Sequence, residues 1–353
     1  MKNYIDQDDM ISANSAYVLQ TVRRHAGISR KEISSLTGLS WGGMTKIVNR
    51  LLESGYITEE KGDAAPGVTR VPNLIKVNPE KNFVVGLDFN LAGFHAVVTD
   101  LTGRILTETS SPAPKTNTQA LLASCTDFLV WTLSPFAPEK LFALGVAMQG
   151  IVDVRGGISL KLPGISDWSN IPLRDILEER FRIRTWLEHD PDCLLFPHLQ
   201  KAGKDNLLLL RIDRSIGAAV SVNGKLLKDT GILEIAHNIV VPGGKPCTCG
   251  MNGCLEAYIA PCLMEDNVDE NALRELCDPL AITIRNLSGV FRADRVILTG
   301  ALIGYLSQAE AQLRGFLDDY CPSLPVELLE LSTSAAVGAA SIAADLAIKE
   351  LKI

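Results

Sequence analysis

The chain has no uninterrupted apolar run of about 18 residues, the length a helix needs to cross a bilayer, so no membrane span is expected. Its first residues, Met1-Lys2-Asn3-Tyr4-Ile5-Asp6-Gln7-Asp8-Asp9, lack the apolar core of a secretory signal. Both absences point to the cytoplasm. A disulfide framework is missing as well. Three of the 8 cysteines crowd into one short segment, and Cys125, Cys193, Cys262, Cys277 and Cys321 are scattered. That distribution suits a reducing compartment, with the scattered thiols acting as small buried apolar groups. What remains is ordinary for a globular protein: 353 residues, 46% hydrophobic and 21% charged, enough for two or three domains with cores.

The crowded segment is Cys247-Thr248-Cys249-Gly250-Met251-Asn252-Gly253-Cys254, with His237 ten residues before Cys247. Three thiols and an imidazole at this spacing can surround one tetrahedral ion. Zinc prefers that ligand set, and a closed four-ligand site is structural rather than catalytic. Gly250 and Gly253 let the loop turn tightly enough for the thiolates to converge. The alternative is three buried cysteines beside an unrelated histidine.

Net charge is −7, but residues 1–80 hold 10 Lys+Arg and 9 Asp+Glu, a net of +1, which leaves −7 − 1 = −8 for the remainder. A near-neutral head on an acidic body hints at different partners for the two parts. In the head, apolar Val18, Leu19 and Val22 predict a helix over 15–26 that Gly27 ends. Ser29 with Glu32 makes a capping box for a second helix over 30–36, which stops near Gly38. Ser40 caps a third over 41–54, with Met44, Ile47, Val48, Leu51 and Leu52 inward. Strand 56–60, a turn-rich wing over 61–72 and a returning strand 74–77 complete a winged helix-turn-helix. The recognition helix of such a unit lies in the major groove of double-stranded DNA. Its outward positions are Trp41, Gly42, Thr45, Lys46, Asn49 and Arg50. Thr45 and Asn49 can bond base edges; Lys46 and Arg50 can hold phosphate or guanine. The competing reading is a protein-docking helical module.

From residue 83 the character changes. Apolar strands 83–89, 94–100 and 104–109, a helix near 117–135 and strand 141–148 predict the first lobe of an actin-like, sugar-kinase-type α/β fold. Strands 207–212 and 217–222 open a matching second lobe. Val296-Ile297-Leu298-Thr299-Gly300 reads as a buried strand entering a glycine turn.

His237, Cys247, Cys249, Cys254 and Glu256, together with Glu234-Ile235-Ala236-His237, resemble the zinc signature and the Glu-x-x-His motif of the ROK family (repressors, open reading frames and sugar kinases). Ser29-Arg30 through Leu39-Ser40, and Asn78-Pro79, resemble the DNA-binding head of ROK repressors. Alignment on Asn78-Pro79 puts Arg70 in the wing as a minor-groove contact. Leu187-Glu188-His189-Asp190 resembles the family's Glu-Asn-Asp motif, with Asp190 at the position of the kinases' general base. A surface turn at Asp190-Pro191-Asp192 is the other reading. Ser159–Gly164 resembles the sugar loop, with Lys161 in place of asparagine; a lysine there favours an anionic sugar or points to solvent.

The resemblance implies that His189, Asp190, Glu234, His237, Glu256, Lys161 and Gly164 bind sugar. It also implies that His237 serves sugar and zinc through different ring nitrogens. The two phosphate-binding turns of the kinases are replaced by Asn90-Leu91-Ala92 and by Asp213-Arg214-Ser215-Ile216-Gly217-Ala218. A carboxylate at 213 repels phosphate, and side chains fill space that glycines leave open.

The expected protein is therefore α/β. A winged helix-turn-helix (1–80) precedes ROK lobe I (81–190, with the C-terminal helix 335–353 packing back) and lobe II (191–334) with a structural Zn2+ site. The expected function is a sugar-responsive transcription regulator of carbohydrate metabolism genes, acting on an operator as a homodimer or homotetramer and not as an enzyme. An ATP-dependent sugar kinase with a regulatory head is the alternative, and a regulator controlled by a protein partner is a third reading.

Overall fold

The computed structural model describes residues 7–62, 72–114, 116–213, 215–227, 234–264, 267–306, 309–329 and 334–352. Two compact units emerge: residues 1–147, 154–187 and 339–353 form one, and residues 148–153 and 188–338 the other.

The first unit begins with α1 (Gln7–Arg23), β1 (Ile28–Ser29), α2 (Arg30–Thr37), α3 (Trp41–Glu53), β2 (Ile57–Lys61) and β3 (Asn73–Val77). The caps fall where the sequence puts them. Ser29 accepts from the backbone N–H of Glu32, and Glu32 returns the bond to Ser29, which closes the capping box. Gly38 ends α2 in the left-handed region at φ 69°, which a side chain would resist. Ser40 accepts from Gly43 at the start of α3. Helix α1 starts earlier than expected because its polar first half carries no apolar stripe to announce it. It stops at Arg23 because the chain must extend for Ile28 to pair with Ile75. The wing lies mostly outside the described residues, and Arg70 with it.

Strands β4 (Phe83–Phe89), β5 (Phe94–Asp100) and β6 (Ile105–Ser111) form an antiparallel meander, with Val85 opposite Val98 and Ala96 opposite Thr109. Helix α4 (Thr118–Leu133) follows, then β7 (Leu141–Met148). Strand Thr185–His189 completes a five-stranded sheet beside β7. The meander is buried along nearly the whole of β4 and β5, which explains why these strands read as continuous apolar runs rather than alternating ones.

The C-terminal helix Ala335–Lys349 lies directly against β7. A Cβ on Gly145 would sit 2.1 Å from the carbonyl oxygen of Ala339. Ala339, Ala340, Ala343, Ala344 and Ala347 are buried, and their small side chains permit that approach. The same helix holds α1. Arg23 donates to Asp345 at 2.6 Å, to Ser341 at 3.3 Å and to the Leu101 carbonyl at 2.8 Å, while Gln20 donates to the Asp345 carbonyl.

In the second unit the sheet runs Lys225–Leu226, Ile216–Val222, Leu207–Ile212, Arg295–Thr299, Val326–Leu328. The first three strands pair antiparallel and the last three parallel. Helices Glu270–Phe291 and Glu310–Tyr320 bury Leu276, Leu280, Ile284, Leu313 and Leu317 in its core. Gly300, at φ 112°, ends strand Arg295–Thr299 in a turn whose Leu302 N–H returns to the Ile212 carbonyl. That turn meets the end of strand Leu207–Ile212, where the site described next is built.

Candidate functional site

Helix α3 presents Trp41, Gly42, Lys46, Asn49 and Arg50 to solvent, Trp41 being 59% exposed. Met44, Ile47, Val48 and Leu51 are buried beneath it. Thr45 departs from expectation. It is half-buried with its hydroxyl oxygen shielded and unpartnered, so in this conformation it does not reach outward for a base edge. Asn49 accepts from Arg30, whose guanidinium also grips both oxygens of Glu59 at 3.0 and 3.1 Å. The bidentate pair fixes α2 against β2.

Elsewhere in the first unit, Lys161 is exposed at the end of strand Ile158–Lys161. Gly164 turns at φ 98°, where a Cβ would meet Leu91 at 2.6 Å. The turn after β4 is closed on itself: the Asn90 side-chain oxygen accepts from Ala92 and Gly93, and its amide donates to buried Asp88. Backbone N–H groups that a phosphate would need are already satisfied.

The second unit carries the cysteine loop. The ligand atoms of His237, Cys247, Cys249 and Cys254 all lie within 4.8 Å of one another. Two pairs, Cys247 Sγ with His237 Nδ1 and Cys249 Sγ with Cys254 Sγ, stand at 3.6 Å. Metal–ligand bonds of 2.0–2.3 Å in a tetrahedron require ligand separations of roughly 3.4–3.8 Å, so the donor set fits a zinc-sized ion. The backbone builds the cage. Cys247 N–H donates to Met251, Gly250 N–H to Cys247, and Gly253 N–H to Lys245. Gly253 is obligatory, because a Cβ there would lie 1.8 Å from the Val241 carbonyl oxygen. The N–H of Cys249 pulls the Cys247 thiol down to about 7, while burial pushes Cys254 up to about 12.

Beside the loop lies a network of polar contacts centred on Arg211, the Arg211 ring. Strand Thr185–His189 passes straight into helix Asp190–Ala202, with Pro191 preset for the first turn. This puts Asp190 in the interior rather than on a surface turn; it is 6% exposed. Arg211 donates through one arm to Asp190 and through Nε to Asp213 at 2.6 Å. Asp213 in turn accepts from the Ala301 N–H at the glycine turn, again at 2.6 Å. Ser215 donates to Glu256 at 3.2 Å, and the Glu256 N–H returns to Ala236, between Glu234 and His237. Glu234 and His237 are both exposed.

His189 Nε2 stands 3.6 Å from Asp190. Burial and then the Arg211 charge push the imidazole down to about 4, against a smaller pull upward from Glu234. Burial raises Asp190 to about 6, although Arg211 opposes it. Thus His189, Asp190, Glu234, His237 and Glu256 all lie in this unit, and Lys161 and Gly164 belong to the other. Sequence reasoning missed Arg211 as a member. The signal was present: a lone arginine in the run Leu207-Leu208-Leu209-Leu210-Arg211-Ile212 marks a charge held by buried partners.

Among the described residues, no helix is long and apolar enough to cross a membrane. Comparison with known proteins finds the ROK family over residues 84–263 and the winged helix-turn-helix DNA-binding family over residues 18–58. The chain is 23% identical over 329 residues to the xylose repressor of Caldicellulosiruptor bescii, which spans 81% of this chain and 82% of that protein. It is 30% identical over 263 residues to the N-acetylglucosamine repressor of Escherichia coli O157:H7, across 72% of this chain and 64% of that protein. Its fold is similar to the crystal structure of a ROK family transcriptional regulator, a homolog of the E. coli MLC protein. That match has a TM-score of 0.81 and 18% identity and covers 97% of each chain.

Proposed function

The chain belongs to the ROK family, and from that premise we propose that it is a sugar-responsive transcriptional repressor of carbohydrate metabolism genes, acting in the cytoplasm. One observation carries the reading: a winged helix-turn-helix and a ROK domain occur in a single chain, and that chain is similar to relatives named xylose repressor and N-acetylglucosamine repressor.

Residues Trp41, Gly42, Lys46, Asn49 and Arg50 face double-stranded operator DNA. Lys46 and Arg50 neutralise phosphate or guanine, and Asn49 reads a base edge by releasing Arg30. Arg70, outside the described residues, supplies a minor-groove contact. Thr45 packs within the head. A homodimer or homotetramer sets two heads on two half-sites.

The effector is a sugar held by Asp190, His189, Glu234, His237 and Glu256. Asp190 accepts a sugar hydroxyl, and neutral His189 donates or accepts beside it. The effector changes operator affinity only by the difference in its affinity for the two states of the protein. His237, Cys247, Cys249 and Cys254 hold a structural Zn2+. The ion orients the His237 ring and fixes the loop that carries Glu256.

Phosphoryl transfer is not part of this function. The Asn90 turn is closed on its own side chain, and Asp213 takes the Ala301 N–H. The retained aspartate is what favours a kinase as the second reading. The test is operator binding by the zinc-loaded protein, with DNA from upstream of its own and neighbouring genes, repeated with a sugar panel while ATP consumption is followed. Specific binding weakened by one sugar without ATP turnover is the expected result. Sugar-dependent ATP turnover transfers the assignment to a kinase.

A further inference from the structure

The Asp190–Arg211–Asp213 contacts carry a consequence for which ligands the site accepts, resting on the reading of this unit as a sugar-effector site. Arg211 is 15% exposed in its side chain, and the carboxylates of Asp190 and Asp213 are 9% and 30% exposed. Following the contacts from Arg211 leads through Asp213 and Ser215 to Glu256, then through the Glu256–Ala236 bond to the segment bearing Glu234. Among the described residues, Asp190 and Asp213 therefore hold one guanidinium between them, a net charge of 1 − 2 = −1, with Glu256 farther along the same run of contacts. His189 adds no charge at neutral pH. The nearby Lys245 is committed to Glu275. A zinc ion with three thiolates and a neutral imidazole contributes a further −1.

We infer that Arg211 is the specificity-determining residue of this effector site: its charge is consumed by Asp190 and Asp213, so the site takes an uncharged sugar and rejects the phosphate ester of the same sugar. An arginine that recognises phosphate must offer donors not already held by carboxylates. Here two sides of the fork are taken, and the nearby field repels a dianion. The hydroxyl-binding capacity is retained, because Asp190 keeps an oxygen beyond the one given to Arg211.

The experiment is calorimetric titration of the zinc-loaded protein with D-xylose and N-acetylglucosamine, each paired with its phosphate monoester. The sugar that binds should do so at least about 10-fold more tightly than its ester, the scale expected from several charges acting across a partly solvated site. Asp213→Asn preserves an acceptor for the Ala301 N–H but releases half of the Arg211 clamp. It should narrow that ratio at least about 3-fold while leaving the uncharged sugar's affinity nearly unchanged. In the parent protein the ratio should also shrink as salt is raised, whereas steric rejection would not respond to salt. Tighter binding of the ester, or a ratio untouched by both Asp213→Asn and salt, overturns the inference and leaves the sugar-effector reading standing. No binding of either sugar or either ester overturns both.

Discussion

The cysteine loop and the Arg211 ring lie side by side in one unit, and each concentrates acidic groups that would otherwise repel one another. Their solutions are opposite. The loop brings three thiols and an imidazole within 4.8 Å of one another, a set that a bound cation would neutralise. The ring carries its own cation on a buried strand. With zinc bound as proposed, one structure is conditional on a solute and the other is complete on folding. Loop geometry should therefore track metal supply, whereas the ring should persist wherever the unit is folded.

The largest effect expected from breaking this contrast is on the loop. Chelation of zinc, or Cys249→Ser, leaves thiolates clustered without a counter-ion. Stability should fall by at least about 4 kcal/mol, in the range that loss of a bound metal produces. Metal content and thermal unfolding measured together check this; full metal occupancy in Cys249→Ser removes that thiol from the ligand set. Arg211→Met should leave metal content unchanged, which separates the two regions cleanly.

These two regions were not equally legible in the sequence. The loop announced itself because ligand spacing and glycine positions are local properties, and the distances bear out the clustering. The strands flanking both regions were legible for a similar reason: Leu207–Ile212 and Phe83–Phe89 are unbroken apolar runs bounded by turns. The ring was not legible, because Asp190, Arg211 and Ala301 are far apart in the chain and meet only through parallel pairing of Leu207–Ile212 with Arg295–Thr299. The orientation of Thr45 was not legible for a subtler reason. Helical periodicity places it at the margin of the exposed face, and packing of the head decides which way its hydroxyl turns. The latch from Arg23 to Asp345 spans 322 positions, and no local pattern encodes it.

Next in size is the ring itself. Arg211→Met leaves two carboxylates facing each other, one of them deep in the unit, and should cost about 3 kcal/mol, the penalty for removing one partner of a buried pair. Denaturant unfolding at neutral pH measures it. A variant as stable as the parent would show that Asp190 and Asp213 tolerate each other without the guanidinium, and the ring would lose its claim to self-sufficiency.

The smallest effect separates two titrations that hide each other. Asp190 has a folded value of about 6, above its ordinary value of 3.8. Between those limits the folded state binds more protons than the unfolded state, so this group's contribution to stability is full below pH 3.8 and lost as pH rises through 6. His189 has a folded value of about 4, below its ordinary 6.5. Its contribution is full above pH 6.5 and lost as pH falls through 4. The slopes oppose across pH 4–6, and the parent gains or loses little there from the pair. Substituting His189→Asn removes the rising slope and leaves the falling one. Relative to the parent, the variant should therefore gain stability on acidification from pH 6 to 4, by at most about 1.4 kcal/mol per pH unit, the limit for one proton. Taking the difference between the two proteins at each pH cancels the shared loss of zinc. A flat difference would mean that the His189 titration is the same in the folded and unfolded chain, and that the histidine contributes shape but no charge balance to the ring.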